Sequence, residues 1–152
     1  MQQNSSIDRN VEFLDKTYKN SEAGSESISY LKEKVEDKLL LQELQKELIE
    51  YQDIQRRITE EMSKVGAVPK EQSPMAQMGM WTGVQMNTLL DRSPDKIAEM
   101  MIEGATMGIV DMTRNLKDYS DVPEESRKIG SDLIAVEERT IQKMKRYLTH
   151  DK

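Results

Sequence analysis

The chain has 152 residues, enough for one domain with a real core, and its composition, rich in Leu, Glu, Lys, Met and Gln with only 5% aromatics, favours helices over sheets. Its net charge of −6 is spread with both signs interleaved, so no basic patch exists to follow a phosphate backbone, which argues against a nucleic-acid partner. The absence of cysteine excludes disulfides, thiolate metal sites and cysteine nucleophiles, and no apolar run approaches the roughly 18 residues of a membrane span, so a soluble, cytoplasmic protein with no membrane partner is expected.

Residues 1–7 are polar and without period, which reads as a loose tail ahead of a single domain over residues 8–149. From Asp8 to about Glu36 the apolar or small positions Val11, Leu14, Tyr18, Ser21, Ser25, Ile28 and Val35 mark one face of a long helix. Its middle is weak, because Ser21, Gly24 and Ser25 stand where a core wants leucine. Either a neighbour comes close there or the helix breaks at Gly24. The second helix, from about Asp37 to Lys64, carries Leu41, Leu44, Leu48, Tyr51, Gln55, Ile58, Met62 and Val65 near a 3.5-residue period. That spacing is the mark of a bundle seam, with Leu40, Glu47 and Ile54 on its flank. Gly66 supplies a stop and Pro69 prevents resumption.

The stretch from Met75 to Met112 holds eight of the eleven methionines, the only tryptophan and four of the seven glycines. It divides at Asp91-Arg92-Ser93-Pro94, where Ser93 suits a helix cap and Pro94 the first turn. A crossover helix is expected at about 74–90, and a third long helix from Asp95 to about Tyr119. Each half has a small-xxx-small spacing, Gly79 with Gly83 and Gly104 with Gly108, and helical glycine costs about 1 kcal/mol relative to alanine. A packing seam of Met78, Gly79, Trp81, Gly83, Met86, Gly104 and Gly108 offsets that cost through close helix approach, with methionines filling the gaps. The alternative is an adaptable Met-rich surface for a partner, with Trp81 as its hot spot rather than as an internal anchor. The third helix presents Ile97, Met101, Gly104, Ala105, Gly108, Met112 and Leu116 on one face. The last, Glu124 to Leu148, presents Ile129, Leu133, Val136, Ile141, Met144 and Leu148.

Four long helices with one long crossover between the second and third is the connectivity of a ferritin-like four-helix bundle. The run MNTLLDRSPDKIAEMMIEGATMGIVDM, with NLKDY and AVEERTIQKMKRYL after it, resembles ferritin-like proteins of about this length from anaerobic Gram-positive bacteria. The resemblance covers roughly Tyr18 to Leu148 and is most specific from Met75 to Tyr119. What it implies is a fold and not an activity.

Such bundles invite a carboxylate-bridged di-iron or di-manganese site, built from one Glu on each of two helices and a Glu-x-x-His pair on each of the others. This chain departs from that pattern. Its only histidine, His150, lies in the terminal tail, and the matching places read Glu47-Leu-Ile-Glu50 and Glu137-Glu-Arg-Thr140. Glu47, Glu103 and Glu137 remain as inward candidates, with Tyr51 beside them, for an all-oxygen Fe or Mn site. The simpler expectation is that each is half-buried and paired with a cation or hydroxyl. Three functions follow. The first is a structural or interaction module with a degenerate metal site, no cofactor, and a possible homo-oligomer or protein partner. The second is a metal-binding oxidase or store, and the third is a carrier with an interior pocket of Met101, Met107, Met112 and Met144.

Overall fold

The computed structural model describes residues 2–70 and 91–149. Among them are four long α-helices, one short 3₁₀ turn and no strand: α1 (Gln2–Leu31), α2 (Lys38–Ser63), α3 (Pro94–Asp118) and α4 (Glu124–Met144), with the 3₁₀ turn at Lys145–Tyr147. The expected crossover helix, with Met78, Gly79, Trp81, Gly83 and Met86, lies outside the described residues, as does His150.

Local chemistry sets the boundaries. Asp37 caps α2 by accepting from the Leu40 amide at 2.9 Å. Gly66 ends it at φ 73°, a left-handed conformation, while the Ala67 amide returns to the Met62 carbonyl at 2.9 Å. Ser93 caps α3 by accepting from the Lys96 amide, and Pro94 occupies the first turn. α1 starts ahead of the expected Asp8, so polar residues expected in the tail form its first turns. Arg9 fastens that end: it donates to Asp121 at 2.7 Å and to the Asp118 carbonyl at 2.8 Å, and lies 4.8 Å over the Tyr119 ring.

α1 does not break at Gly24. A Cβ there would lie 2.6 Å from Tyr51 Cζ, so the glycine makes room for the tyrosine ring of α2. The small polar residues around it are buried because their hydroxyls turn back on their own helix. Thr17 donates to the Phe13 carbonyl, Ser21 to that of Tyr18 and Ser25 to that of Glu22.

α1 packs along α2 and α3, and α4 packs along α3 and α2. Contacts of Arg9 with Asp121 and of Asn20 with Gly108 make α1 and α3 antiparallel. Contacts of Glu47 with Lys143 and of Arg57 with Asp132 do the same for α2 and α4. Both hairpins, α1–α2 and α3–α4, being antiparallel as well, α2 and α3 run in the same direction. Lys70 therefore sits beside Asp15, near the start of α1, whereas Asp95 sits beside Thr149, past the end of α4.

The core is continuous from Phe13, Leu14 and Ile28 on α1 through Leu44 and Ile58 on α2 to Ile97, Met101 and Met112 on α3 and Leu133 and Met144 on α4. The buried line of α2 is Leu40, Leu44, Glu47, Tyr51, Ile54, Ile58 and Met62. This corrects the sequence-based seam. Leu41, Leu48 and Gln55 are half-buried and Val65 is exposed, while the flanking Leu40, Glu47 and Ile54 turn inward. The helix is rotated because α4 supplies polar partners for Glu47. On the last helix Ile141 is half-buried and Leu148 exposed, since the α-helix ends at Met144 and the chain turns 3₁₀.

Candidate interior carboxylate site

Two of the three expected carboxylates reach the interior. Glu47 of α2 and Glu137 of α4 are 0% and 1% exposed, and Tyr51, one turn beyond Glu47, is 0% exposed. Glu103 does not join them. It lies on the exposed side of α3, away from the buried line of Gly104 and Gly108, so the expectation that it points inward is corrected. Among the described residues no group of three or more His, Cys, Asp or Glu side chains is close enough to hold a metal ion.

Glu47 is fully occupied. Its Oε2 accepts a short hydrogen bond from Thr140 Oγ1 and its Oε1 accepts from Lys143 Nζ at 3.1 Å, with Glu43 at 3.8 Å from the same ammonium. Burial raises its pKa, and the bonds from Thr140 and Lys143 oppose that rise. The expected pairing of a buried carboxylate with a cation and a hydroxyl is what forms here.

Glu137 is different, because neither carboxyl oxygen has a hydrogen-bond partner among the described residues. Its Oε2 lies against Gly108, where a Cβ would come within 1.7 Å of it. Gly108 thus admits a carboxyl group rather than a neighbouring backbone, which corrects the reading of that position as a helix-to-helix seam; Gly104, one turn before it, is buried as well. Burial pushes the Glu137 pKa well above the ordinary glutamate value, and the nearby Asp111 adds to the rise. Asn20 holds the surrounding backbone by donating to the Gly108 carbonyl at 3.0 Å and to Asp111 at 3.3 Å. The Tyr51 hydroxyl is also without a partner among the described residues. Its pKa is raised well above 10.0 by burial, then by Glu137, Glu47 and Glu50.

This interior can keep a neutral carboxylic acid and a neutral phenol away from solvent, one turn of helix from an ion pair that is already complete. Thr140, Lys143 and Asn20 were not singled out from the sequence. A signal existed for the first two, since Thr140 and Lys143 lie three apart and so share a face of α4 with Glu137 and Met144. Which helix they would meet depended on the packing order.

The expected methionine-lined pocket is not formed by its four residues together. Met101, Met112 and Met144 are packed in the core, and Met107 is 44% exposed on the outer face of α3. There a groove of about 360 Å³ runs between α1 and α3, lined by Asn20, Ala23, Met107, Val110, Asp111 and Arg114. Fold and interior together define, among the described residues, an all-α arrangement of four long helices with buried carboxyl groups. No described helix is long and apolar enough to cross a membrane. No protein-family model matches the chain, and no curated protein or solved structure matches it either.

Proposed function

We propose that this chain is a ferritin-like bundle serving as a structural or protein-interaction module, in which the metal site has degenerated. The parallel course of α2 and α3 supports the ferritin-like part, because Lys70 and Asp95 then stand at opposite ends of the bundle, as they do in that fold and not in a short-looped up-down-up-down bundle. The observation that carries the functional part is Glu47. In a carboxylate-bridged centre this position would offer both oxygens to a cation, whereas here Lys143 and Thr140 take them. With Glu103 outside and no histidine among the described helices, the donor set does not fit a di-iron or di-manganese centre. Exposed Met107 and Val110, in the Met-rich stretch, support an interaction surface. A cytoplasmic location and a homo-oligomeric or protein partner, with no nucleic acid, belong to the same reading.

One observation favours the alternative, an Fe- or Mn-binding protein using the residual glutamates: among the described residues, neither the Glu137 oxygens nor the Tyr51 hydroxyl, which feels the Glu137 charge, has a hydrogen-bond partner. Elemental analysis of the untagged protein, expressed with added iron and manganese, separates the two. Metal-free protein supports the module. Near-stoichiometric metal that disappears in Glu137→Gln would replace it with the metal-binding reading.

A further inference from the structure

We propose that the outer face of α3 is a self-association seam, on which a second copy of this chain docks antiparallel about a twofold axis. The inference rests on the interaction-module reading and names its partner. The inner face of α3 is spent on the core through Met101, Gly104, Ala105, Gly108 and Met112. Glu103, Met107, Val110 and Arg114, separated by four, three and four residues, form a single stripe on the opposite face, and all four are exposed. Along that stripe the chemistry changes in order: acidic at Glu103, apolar at Met107 and Val110, and basic at Arg114 and then Lys117.

A helix with this order is complementary to itself when reversed. A twofold axis passing between Gly108 and Ile109 brings Glu103 of one copy opposite Arg114 of the other, and Met107 opposite Val110, and each pairing occurs twice. The groove between α1 and α3 lies alongside and offers room for the flexible side chain of the second copy's Met107. Neither Glu103 nor Arg114 is engaged in an ion pair with any of the described residues, and both side chains are exposed. A parallel arrangement has no such merit, since it sets Glu103 against Glu103 and Arg114 against Arg114. A basic or an acidic partner protein would satisfy only one end of the stripe.

The seam from Glu103 to Lys117 is about 21 Å long at 1.5 Å per residue. It belongs with small, transient interfaces, for which micromolar or weaker binding is expected. Sedimentation of the full chain from about 1 µM to about 1 mM brackets that range. The expected result is a reversible monomer–dimer equilibrium that weakens with salt. Glu103→Arg or Arg114→Glu alone sets like charges together twice and raises the dissociation constant at least about tenfold. The double exchange, Glu103→Arg with Arg114→Glu, restores opposite charges and returns the constant to within about threefold of the parent. Because both positions are exposed, the helical signal and melting temperature of each variant should match the parent.

A chain monomeric at every concentration overturns the proposal, and if Val110→Glu then also lowers the melting temperature, the face is covered from within its own chain. A dimer indifferent to both single reversals overturns it too, while leaving self-association through another face intact. The module reading fails separately, on stoichiometric metal, whatever the sedimentation shows.

Discussion

Replacing Glu137 by glutamine should convert a pH-dependent protein into a less pH-dependent one. In the unfolded chain Glu137 loses its proton near the ordinary value of 4.5, whereas in the folded chain burial keeps it protonated to higher pH. Between the two, the unfolded chain releases a proton that the folded chain retains, so stability falls as pH rises, by at most about 1.4 kcal/mol per pH unit. A domain of this size has an unfolding entropy of about 0.3 kcal/mol per kelvin near its midpoint, so the slope corresponds to about 4 °C per pH unit. Glutamine has the same shape and no proton to lose. Its amide is as poorly partnered as the acid, but that cost does not vary with pH. Thermal melts of the parent and Glu137→Gln, taken in parallel from about pH 4.5 upward, should diverge at this rate in favour of the variant. Every other titrating group, Glu47 included, is common to both and cancels. A gap that stays constant through this range would show that Glu137 ionises normally, and the account of a buried, unpaired carboxyl would fall.

Two other substitutions examine the same interior. Gly108→Ala brings a methyl group onto Glu137 Oε2 and should destabilise by about 1–3 kcal/mol in denaturant titration; in a Glu137→Ala background the same change should stabilise by up to about 1 kcal/mol, as alanine does in an open helix. Tyr51→Phe removes a buried hydroxyl with no partner among the described residues and should leave stability unchanged or raise it by up to about 1.5 kcal/mol, and a loss above about 2 kcal/mol would reveal a bonded hydroxyl.

The parts of the fold that depend on neighbouring residues in the sequence were legible there. Ser93 with Pro94, and Gly66 after α2, end their helices through backbone chemistry that acts within a turn, and the structure uses each as expected. Glu137 was readable as an inward carboxylate because Leu133 and Met144 flank it at helical spacing. Glu103 misled for a related reason. Its neighbours Met101, Ile102 and Gly104 are apolar or small, but one residue is about 100° of helix rotation, and the outer face carries Met107 and Val110 as well. With apolar residues on both sides of α3, composition does not say which side is inside. The exchange of Leu41, Leu48 and Gln55 for Leu40, Glu47 and Ile54 has a longer-range cause. An inward Glu47 makes sense only once Thr140 and Lys143 stand across from it, and those contacts span more than ninety residues of sequence. No local period encodes that register.

The direction of the helices also sets where the chain can be extended. The start of α1 lies by the α3–α4 turn, held there by Arg9, and Thr149 lies by the start of α3, at the far end. A helix of 25 residues is about 37 Å long. Anything fused ahead of α1 is thus kept roughly that far from anything fused after Thr149, and the bundle between them acts as a strut of fixed length.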